Sequence, residues 1–186
     1  MATDPLPTTG AIPQSSPPDG TAPAPTSGDR ALYTARVDNL GGTSGQVRIR
    51  DAAGVRLGAT SPDPDGVLSL PTGGPSAAAS GFNPEQLLAT AWSTCLGETL
   101  TVVLAEQGHR VESRVGVEVE LRRDPAGGYR FIPRAQVEID ELPAEEASRL
   151  IAAAHARCPV SKLLTSGGEA PVTHRKIGRA SCRERV

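Results

Sequence analysis

Residues 81–95, GFNPEQLLATAWSTC, decide the fold because they contain the start of a long helix. Asn83 can cap that helix with its side chain, and Pro84 suits the first helical position. Gln86 stands three residues after Asn83, where a capping box needs an amide. These signals together predict that a helix begins at Pro84, in an otherwise apolar stretch that ends on a thiol.

The predicted helix continues to about Gln107 and ends at Gly108, since glycine commonly follows the last helical residue. Three- and four-residue spacing predicts its inward face, which consists of Leu88, Ala91, Trp92, Cys95, Thr99, Val102 and Val103. Cys95 is therefore expected at mid-helix and facing inward.

Alternating apolar and polar residues on both sides of the helix predict two β-hairpins. The first comprises residues 32–38 (LYTARVD) and 46–51 (QVRIRD), joined by the turn GGTSG. The second comprises residues 115–121 and Tyr129–Ile139, joined by DPAGG, with one face exposed to solvent. A long Gly/Pro-rich connection, residues 58–81, follows the first hairpin, and we expect one short strand in it at Val67–Leu70.

A second helix is predicted after Pro143, with an acidic first turn and an inner face of Ala147, Leu150, Ile151 and Ala154. It should end near Cys158, because Pro159 disfavours helical geometry in the residue before it. Pro159 can open another short helix, and the run APVTH reads as a closing strand.

The chain divides into three parts. Residues 1–30 are rich in Pro, Ala, Ser and Thr with little to bury, so we expect a disordered tail. We expect residues 31–176 to form one folded domain. Residues 177–186, IGRASCRERV, match a translation of sequencing-adapter DNA, so we interpret them as an artefact that replaces the native C-terminus and leave Cys182 out of the chemistry.

Composition excludes several classes of function. The net charge is −2 with mixed signs along the chain, so neither a nucleic-acid surface nor a membrane surface is predicted. No apolar run approaches the roughly 20 residues that cross a bilayer, and the N-terminus lacks a signal-peptide pattern. We therefore expect a cytoplasmic protein that acts on a small molecule or a protein partner.

The remaining thiols, Cys95 and Cys158, are the candidate reactive groups. Taken singly, each is more often an inert core residue than a nucleophile. Cys158 lies at a predicted helix start, which favours a thiolate, whereas Cys95 at mid-helix needs help from tertiary structure. Glu85 lies about 15 Å away along a straight helix, so it reaches a thiol only if the first turn bends away or the thiol belongs to a second subunit.

Metal binding and a cofactor are not predicted. His155 precedes Cys158 by three residues, but one His-x-x-Cys pair falls far short of a four-ligand zinc site. His109, His174 and Glu98 are interpreted as structural or solvated residues.

The segments NPEQLLATAWSTC at 83–95 and HARCPVSKLL at 155–164 resemble the OsmC/Ohr family of thiol-dependent peroxidases. Members have an NPE(Q/E)L helix opening, a peroxidatic cysteine at the same offset from the glutamate, and a second cysteine in a Cys-Pro-(Tyr/Val)-Ser motif. The CPVS form is nearer the osmotically induced branch, while residues 33–35 and His155 are similar to the organic hydroperoxide resistance branch. Both branches stay open.

The resemblance implies a two-layer α+β fold in which antiparallel sheets wrap around long central helices of an intertwined homodimer. It makes Cys95 the peroxidatic thiolate that reduces an organic hydroperoxide, and Cys158 the thiol that resolves the sulfenic acid to a disulfide. Glu85 would orient a cation beside the thiolate. Leu88, Trp92 and Leu96 would form an apolar pocket, and a dithiol such as a lipoyl group on a partner protein would recycle the enzyme.

One position departs from the family pattern. The hydroperoxide resistance branch carries an arginine in a GGRDG turn, and Thr43 stands at that place in GGTSG. Arg36, Arg48 and Arg50 lie nearby in sequence, but on alternating strands they are expected to point to solvent.

Two other functions stay open at this point. One is a catalytically weak or inactive OsmC-like dimeric domain that binds a lipophilic ligand, which the missing arginine favours. The other is a thiol–disulfide exchange protein, which the 63-residue separation of the thiols makes less favourable than a compact Cys-x-x-Cys would.

Overall fold

The structure is a computed structural model, and it describes residues 30–50, 52, 55, 57, 62–76 and 78–175. The expectations for residues 1–29 and for residues 177–186 lie outside the described residues.

Within the described residues, five strands form one sheet, whose order is β2-β1-β3-β4-β5. The strands are β1 (Tyr33–Leu40), β2 (Gln46–Ile49), β3 (Ser113–Arg123), β4 (Tyr129–Ile139) and β5 (Val172–His174). The β1–β2 and β3–β4 hairpins are confirmed and are antiparallel, as is the β1–β3 pairing, while β5 runs parallel to β4. The short strand expected at Val67–Leu70 is wrong, because these described residues form no ladder.

The sheet has one apolar face and one charged face, as strand alternation requires. Val115, Val117 and Val119 of β3 are buried under the helices. Their neighbours point the other way, where Glu118 accepts a hydrogen bond of 2.9 Å from Arg36 Nε. The prediction of one wet face is therefore confirmed.

The long helix, α1 (Pro84–Glu106), begins as predicted. The Gln86 N–H donates to Asn83 Oδ1 at 2.8 Å, and the Asn83 N–H donates to Gln86 Oε1 at 3.1 Å, which completes the capping box. The helix is followed by Gly108 at φ +80°, a left-handed conformation that favours glycine. Both ends of α1 are set by local sequence.

The rotation of α1 differs from the prediction. The buried residues are Glu85, Gln86, Ala89, Trp92, Ser93, Leu96, Gly97, Leu100, Val103 and Leu104. Ala91 and Val102 are exposed instead, and Cys95 is half-buried at the border. Small and weakly apolar residues of α1 occur on every side of the helix, so the spacing of apolar residues alone does not determine which side faces the sheet. The sheet selects the side with the largest side chains.

By length and composition alone, α1 could cross a membrane, since one 18-residue window has a mean hydropathy of 1.4. This differs from the expectation that no apolar run is long enough. In the structure α1 packs against β1 and β3 and forms the centre of the hydrophobic core. A long helix in the core of a domain meets the same criteria of length and composition as a membrane-spanning helix, so these criteria do not distinguish the two.

In the part of the chain that the structure describes, two shorter helices lie beside α1 over the sheet. They are α2 (Ala144–Arg157) and α3 (Pro159–Ser166), and the predicted inner face of α2 is confirmed, since Ala147, Leu150, Ile151 and Ala154 are buried. Cys158 separates the two helices in extended geometry, φ −62° and ψ 122°. Pro159 is thus the first residue of α3, and the chain bends at Cys158 toward the middle of α1.

Candidate active site

The fold brings the two thiols together. Cys158 Sγ lies 3.4 Å from Cys95 Sγ, although 63 residues separate them in sequence. Cys158 is fully buried, whereas Cys95 is half-buried. The contact is therefore open to a small molecule from the Cys95 side only.

Both sulfurs lie at the N-terminus of α3. Cys158 is the N-cap residue, and its Sγ accepts a hydrogen bond of 3.5 Å from the Ser161 N–H. The Val160 N–H donates to Cys95. Free N–H groups at a helix start favour an anion. The tertiary help that Cys95 lacks in its own helix is thus supplied by α3.

Three effects act on the ionisation of Cys95. Burial raises the pKa of the Cys95 thiol, the Val160 N–H lowers it, and the neighbouring Cys158 raises it, with a net increase above the ordinary value. The pair needs a further positive charge if Cys95 is to be a thiolate at neutral pH.

Trp92 fixes the start of α3 from below. Its Nε1–H donates to Ser161 Oγ at 2.9 Å, and both side chains are buried. The indole thereby holds Ser161, whose N–H contacts Cys158. Trp92 is a core residue that positions the thiol pair, a role that its sequence context did not indicate.

A shallow cavity of about 700 Å³ opens above Cys95. Its other lining residues are Thr43, Thr90, Ala91, Thr94, Glu98, Thr99, Val102, Arg157 and Pro159. The expectation of a pocket built from Leu88, Trp92 and Leu96 is wrong. Trp92 and Leu96 are buried beneath Cys95, and Leu88 lines a separate groove with Phe131 and Leu163. The rotation of α1 explains this, since it turns the large apolar residues toward the sheet.

Thr43 lies at the cavity, in the short 3-10 turn Gly42–Ser44 that joins β1 to β2. Its N–H and its hydroxyl donate to Glu98 Oε2, at 3.0 and 2.8 Å. These two contacts hold the pKa of Glu98 below its ordinary value. Glu98 therefore ties α1 to the turn, in line with its interpretation as a structural or solvated residue, while its place in the cavity was not predicted.

The three arginines near the turn lie away from the thiols, as expected. Arg36 pairs with Glu118, and Arg50 donates to Asp38, both on the charged face of the sheet. Arg48 is the cross-strand partner of Asp38, and residues directly opposite each other share one face.

Arg157 is the cationic side chain that lines the Cys95 cavity within the described part of the chain. Its two terminal nitrogens donate to the two carboxylate oxygens of Glu106, at 2.5 and 2.8 Å. The pair raises the pKa of Arg157 and lowers the pKa of Glu106. Sequence reasoning missed Arg157, although its position directly before Cys158 was a signal.

Glu85 does not line the Cys95 cavity, and ten residues of helix, about 15 Å along the axis, separate it from Cys95. It is 2% exposed, and its Oε2 has no hydrogen-bond partner among the described residues. A buried carboxylate oxygen without a partner is costly, so it marks a place where a further group is expected.

His155 is half-buried, and burial lowers its pKa, which favours the neutral ring. The described residues contain no cluster of three or more His, Cys, Asp or Glu side chains suited to a metal ion. The residues at the site thus offer thiols, one guanidinium and one carboxylate for chemistry.

Comparison with known proteins agrees with this geometry. A sequence model of the OsmC-like protein family matches residues 76–173. Organic hydroperoxide resistance protein OhrB of Bacillus subtilis is 33% identical over 136 residues, which cover 71% of this chain and 90% of that protein. OhrA of the same organism is also 33% identical, over 73% of this chain and 90% of its own length.

Solved structures give the same result. The crystal structure of OhrB covers 79% of this chain and all of its own, with a TM-score of 0.53 and 32% identity. An organic hydroperoxide resistance protein OsmC from Legionella pneumophila covers 78% of this chain and 98% of its own, with a TM-score of 0.54 and 26% identity. The matched residues contain both thiols of the candidate site, and the chain belongs to the OsmC family.

Proposed function

We propose that this protein is a cysteine-based peroxidase that reduces organic hydroperoxides to alcohols. The observation that carries the proposal is the 3.4 Å contact between a half-buried and a fully buried thiol at one helix start. The names of the OhrA and OhrB relatives support the class of substrate. The cavity suits it too, since Ala91, Val102 and Pro159 offer apolar contacts beside Cys95.

Cys95 is the peroxidatic residue in this proposal because it is the thiol that borders the cavity. Its thiolate attacks the distal oxygen of the hydroperoxide, so that an S–O bond forms and the O–O bond breaks. The sulfur loses two electrons and becomes a sulfenic acid, while the alkoxide takes up a proton and leaves as the alcohol.

Cys158 is the resolving residue. Its sulfur attacks the Cys95 sulfenic sulfur, an S–S bond forms and the S–O bond breaks with release of water. The sulfurs need only approach from 3.4 Å to the about 2.05 Å of a disulfide, so no unfolding is required. A short path to the disulfide also protects the sulfenic acid from further oxidation.

A dithiol reductant then restores the thiols. Its thiolate attacks the exposed side of the bond, which is the Cys95 sulfur, since Cys158 is buried. The reduced, dihydrolipoyl form of a lipoyl group on a partner protein is a dithiol of suitable size for a shallow cavity. We assign the protein to the cytoplasm, where such reductants keep a thiol cycle running.

A homodimer is part of the proposal. The cavity face of α1 is open, and Glu85 Oε2 lacks a partner in the described residues. A second copy can supply the group that Glu85 faces and cover part of the α1 surface. Glu85 then orients a cation rather than touching Cys95 of its own subunit.

The kinetic test follows consumption of cumene hydroperoxide with excess dithiothreitol. Every protein carries Cys182→Ser, so that the third thiol does not contribute. We expect Cys95→Ser to reduce turnover by about a thousandfold or more, because the activated nucleophile is lost. Cys158→Ser should keep one fast turnover and then slow, because dithiothreitol must attack the sulfenic acid directly.

Equal turnover in all three proteins would refute the peroxidase. Tight binding of an alkyl ligand without turnover would then favour the inactive, ligand-binding OsmC-like domain. Rapid disulfide exchange with dithiothreitol but no peroxide consumption would favour a thiol–disulfide exchange protein. The Ser replacements nearly conserve the side-chain volume at each site, so the fold should be retained. Thermal denaturation of each variant distinguishes a loss of the thiol chemistry from a loss of the folded state.

A further inference from the structure

We propose that Arg157 is the cation that activates Cys95, and that Glu106 holds it away from the thiol in the resting protein. This inference rests on the proposed peroxidase function, and it assigns the positive charge that Thr43 cannot supply. It makes Arg157 a residue with two positions, one at Glu106 and one at the sulfur.

The need for a cation follows from the thiol pair itself. Burial and the neighbouring Cys158 both disfavour a Cys95 thiolate, and one N–H from Val160 opposes them. Reactive cysteines usually have a cationic side chain nearby. The alkoxide that leaves during peroxide cleavage is a second anion formed at the same place, and it also needs a donor.

Arg157 is well placed to reach that point. Its Cα is one residue from Cys158, about 3.8 Å along the chain, and the Cys158 sulfur touches Cys95. The guanidinium has five N–H donors, of which the contact with Glu106 uses one on each terminal nitrogen. The other three stay available to a thiolate or to a peroxide oxygen.

Glu106 lies far from Cys95 along α1 and does not line the cavity. Eleven residues of helix separate the two, which corresponds to about 16 Å along the axis of α1. The guanidinium held by Glu106 is therefore not at the sulfur, and it must rotate to act there. Both partners of the pair are about half exposed, so the ion pair is weak enough to open.

Other described arginines are less suitable. Arg36, Arg48 and Arg50 lie on the opposite face of the sheet, and Arg114 pairs there with Glu138. Arg134 pairs with Glu118 and Glu120 on the same charged face. The sheet itself stands between these side chains and α1.

The test measures the nucleophilicity of Cys95 as a function of pH, by alkylation with iodoacetamide. All proteins carry Cys158→Ser and Cys182→Ser, so that Cys95 is the thiol observed. Arg157→Gln should raise the apparent pKa of Cys95 by about one unit and slow alkylation near neutral pH about tenfold. Glu106→Gln should do the opposite, with about threefold faster alkylation, because it releases the guanidinium toward the sulfur.

The opposite signs are the signature of this mechanism. Arg157→Gln and Glu106→Gln break the same ion pair, so a purely structural role would shift both proteins in one direction. Arg157→Lys should retain part of the effect, since the charge stays while the planar fork is lost. Arg149→Gln is the matched control, because it removes an exposed arginine of α2 that pairs with Glu146 and does not line the cavity.

A Cys95 pKa that is unchanged by Arg157→Gln, or that moves in one direction in both glutamine variants, would overturn the proposal. Alkylation involves no peroxide, so this test does not depend on whether the protein has peroxidase activity. A second arm measures sulfenic acid formation with cumene hydroperoxide in the same proteins. If the parent protein does not react there while the alkylation shifts appear, the peroxidase fails and the assignment of Arg157 stands.

Discussion

The two faces of helix α1 differ in composition and in task. The face on the sheet carries Trp92, Leu96 and Leu100, all fully buried. The face toward the cavity carries Thr94, Cys95, Glu98 and Thr99, which are half-buried. Large apolar side chains hold the helix in place, while small and polar ones leave space beside the thiol.

This difference shows how one helix can provide rigidity and chemistry together. The buried face places the backbone of Cys95 within contact of α3, and the cavity face leaves its sulfur accessible. The buried face does not need polar or reactive side chains, and the cavity face does not need large apolar ones. Substitutions on the two faces should therefore have separable effects, with stability lost on one and reactivity lost on the other.

The largest expected loss of stability comes from the core face. Leu100→Ala should lower the free energy of unfolding by about 2–5 kcal/mol, because it removes a fully buried side chain and leaves a cavity. Val102→Ala, two residues on and 41% exposed, should change it by less than about 0.5 kcal/mol. Urea denaturation of both variants measures the contrast. Similar losses for the two variants would mean that the two faces do not differ in burial. This result would be seen if a partner subunit buried Val102.

A smaller loss is expected where the core face supports the thiol pair. Ser161→Ala leaves the buried Trp92 Nε1–H without its acceptor and should cost about 1–3 kcal/mol. The chain has one tryptophan, so its fluorescence reports this site directly. We expect the emission to change in Ser161→Ala but not in Ser166→Ala, which alters an exposed residue of the same helix. An unchanged emission and stability in Ser161→Ala would contradict the described contact.

The smallest effect is expected on the cavity face, as a dependence of stability on pH. The contacts from Thr43 lower the pKa of Glu98 in the folded protein, so their contribution is present above the unfolded pKa and is lost as pH falls through the folded pKa. At neutral pH, Glu98→Gln should lower Tm by about 1–2 °C, and this difference should vanish below about pH 4. Thermal melts across this range measure it, with the exposed Glu169→Gln as control. A difference that grows in acid would contradict the assignment.

Local signals predicted the fold well. Asn83, Pro84 and Gln86 fix the start of α1, since capping is decided within four residues of the chain. The two hairpins were predicted from the alternation of apolar and polar residues. Pro159 ends α2 through its effect on the residue before it, which does not depend on how the helix packs. The OsmC family was also indicated by its two cysteine motifs, and the comparisons confirm it.

What the sequence did not predict depends on three-dimensional contacts. The rotation of α1 was not predicted, because Ala91, Cys95 and Val102 can lie on the buried or the exposed side of a helix. Packing against the sheet decides it by burying the side with the largest side chains. The contact of Glu98 with Thr43 joins residues 55 positions apart. Arg157 and Glu106 come from the ends of two helices whose packing cannot be read from spacing. The short strand at Val67–Leu70 was wrong, because a strand needs a neighbour as well as an alternating pattern.

The most direct test of the central claim, that Cys95 and Cys158 form one peroxide-driven redox pair, is the intact mass of the protein after one equivalent of cumene hydroperoxide. With Cys182→Ser in every protein, the otherwise unaltered chain should lose two hydrogen atoms and gain no oxygen, which indicates a disulfide. Cys158→Ser should gain one oxygen atom, and Cys95→Ser should keep its mass. A parent protein that stays unchanged, or a Cys95→Ser variant that is oxidised like it, would contradict the account.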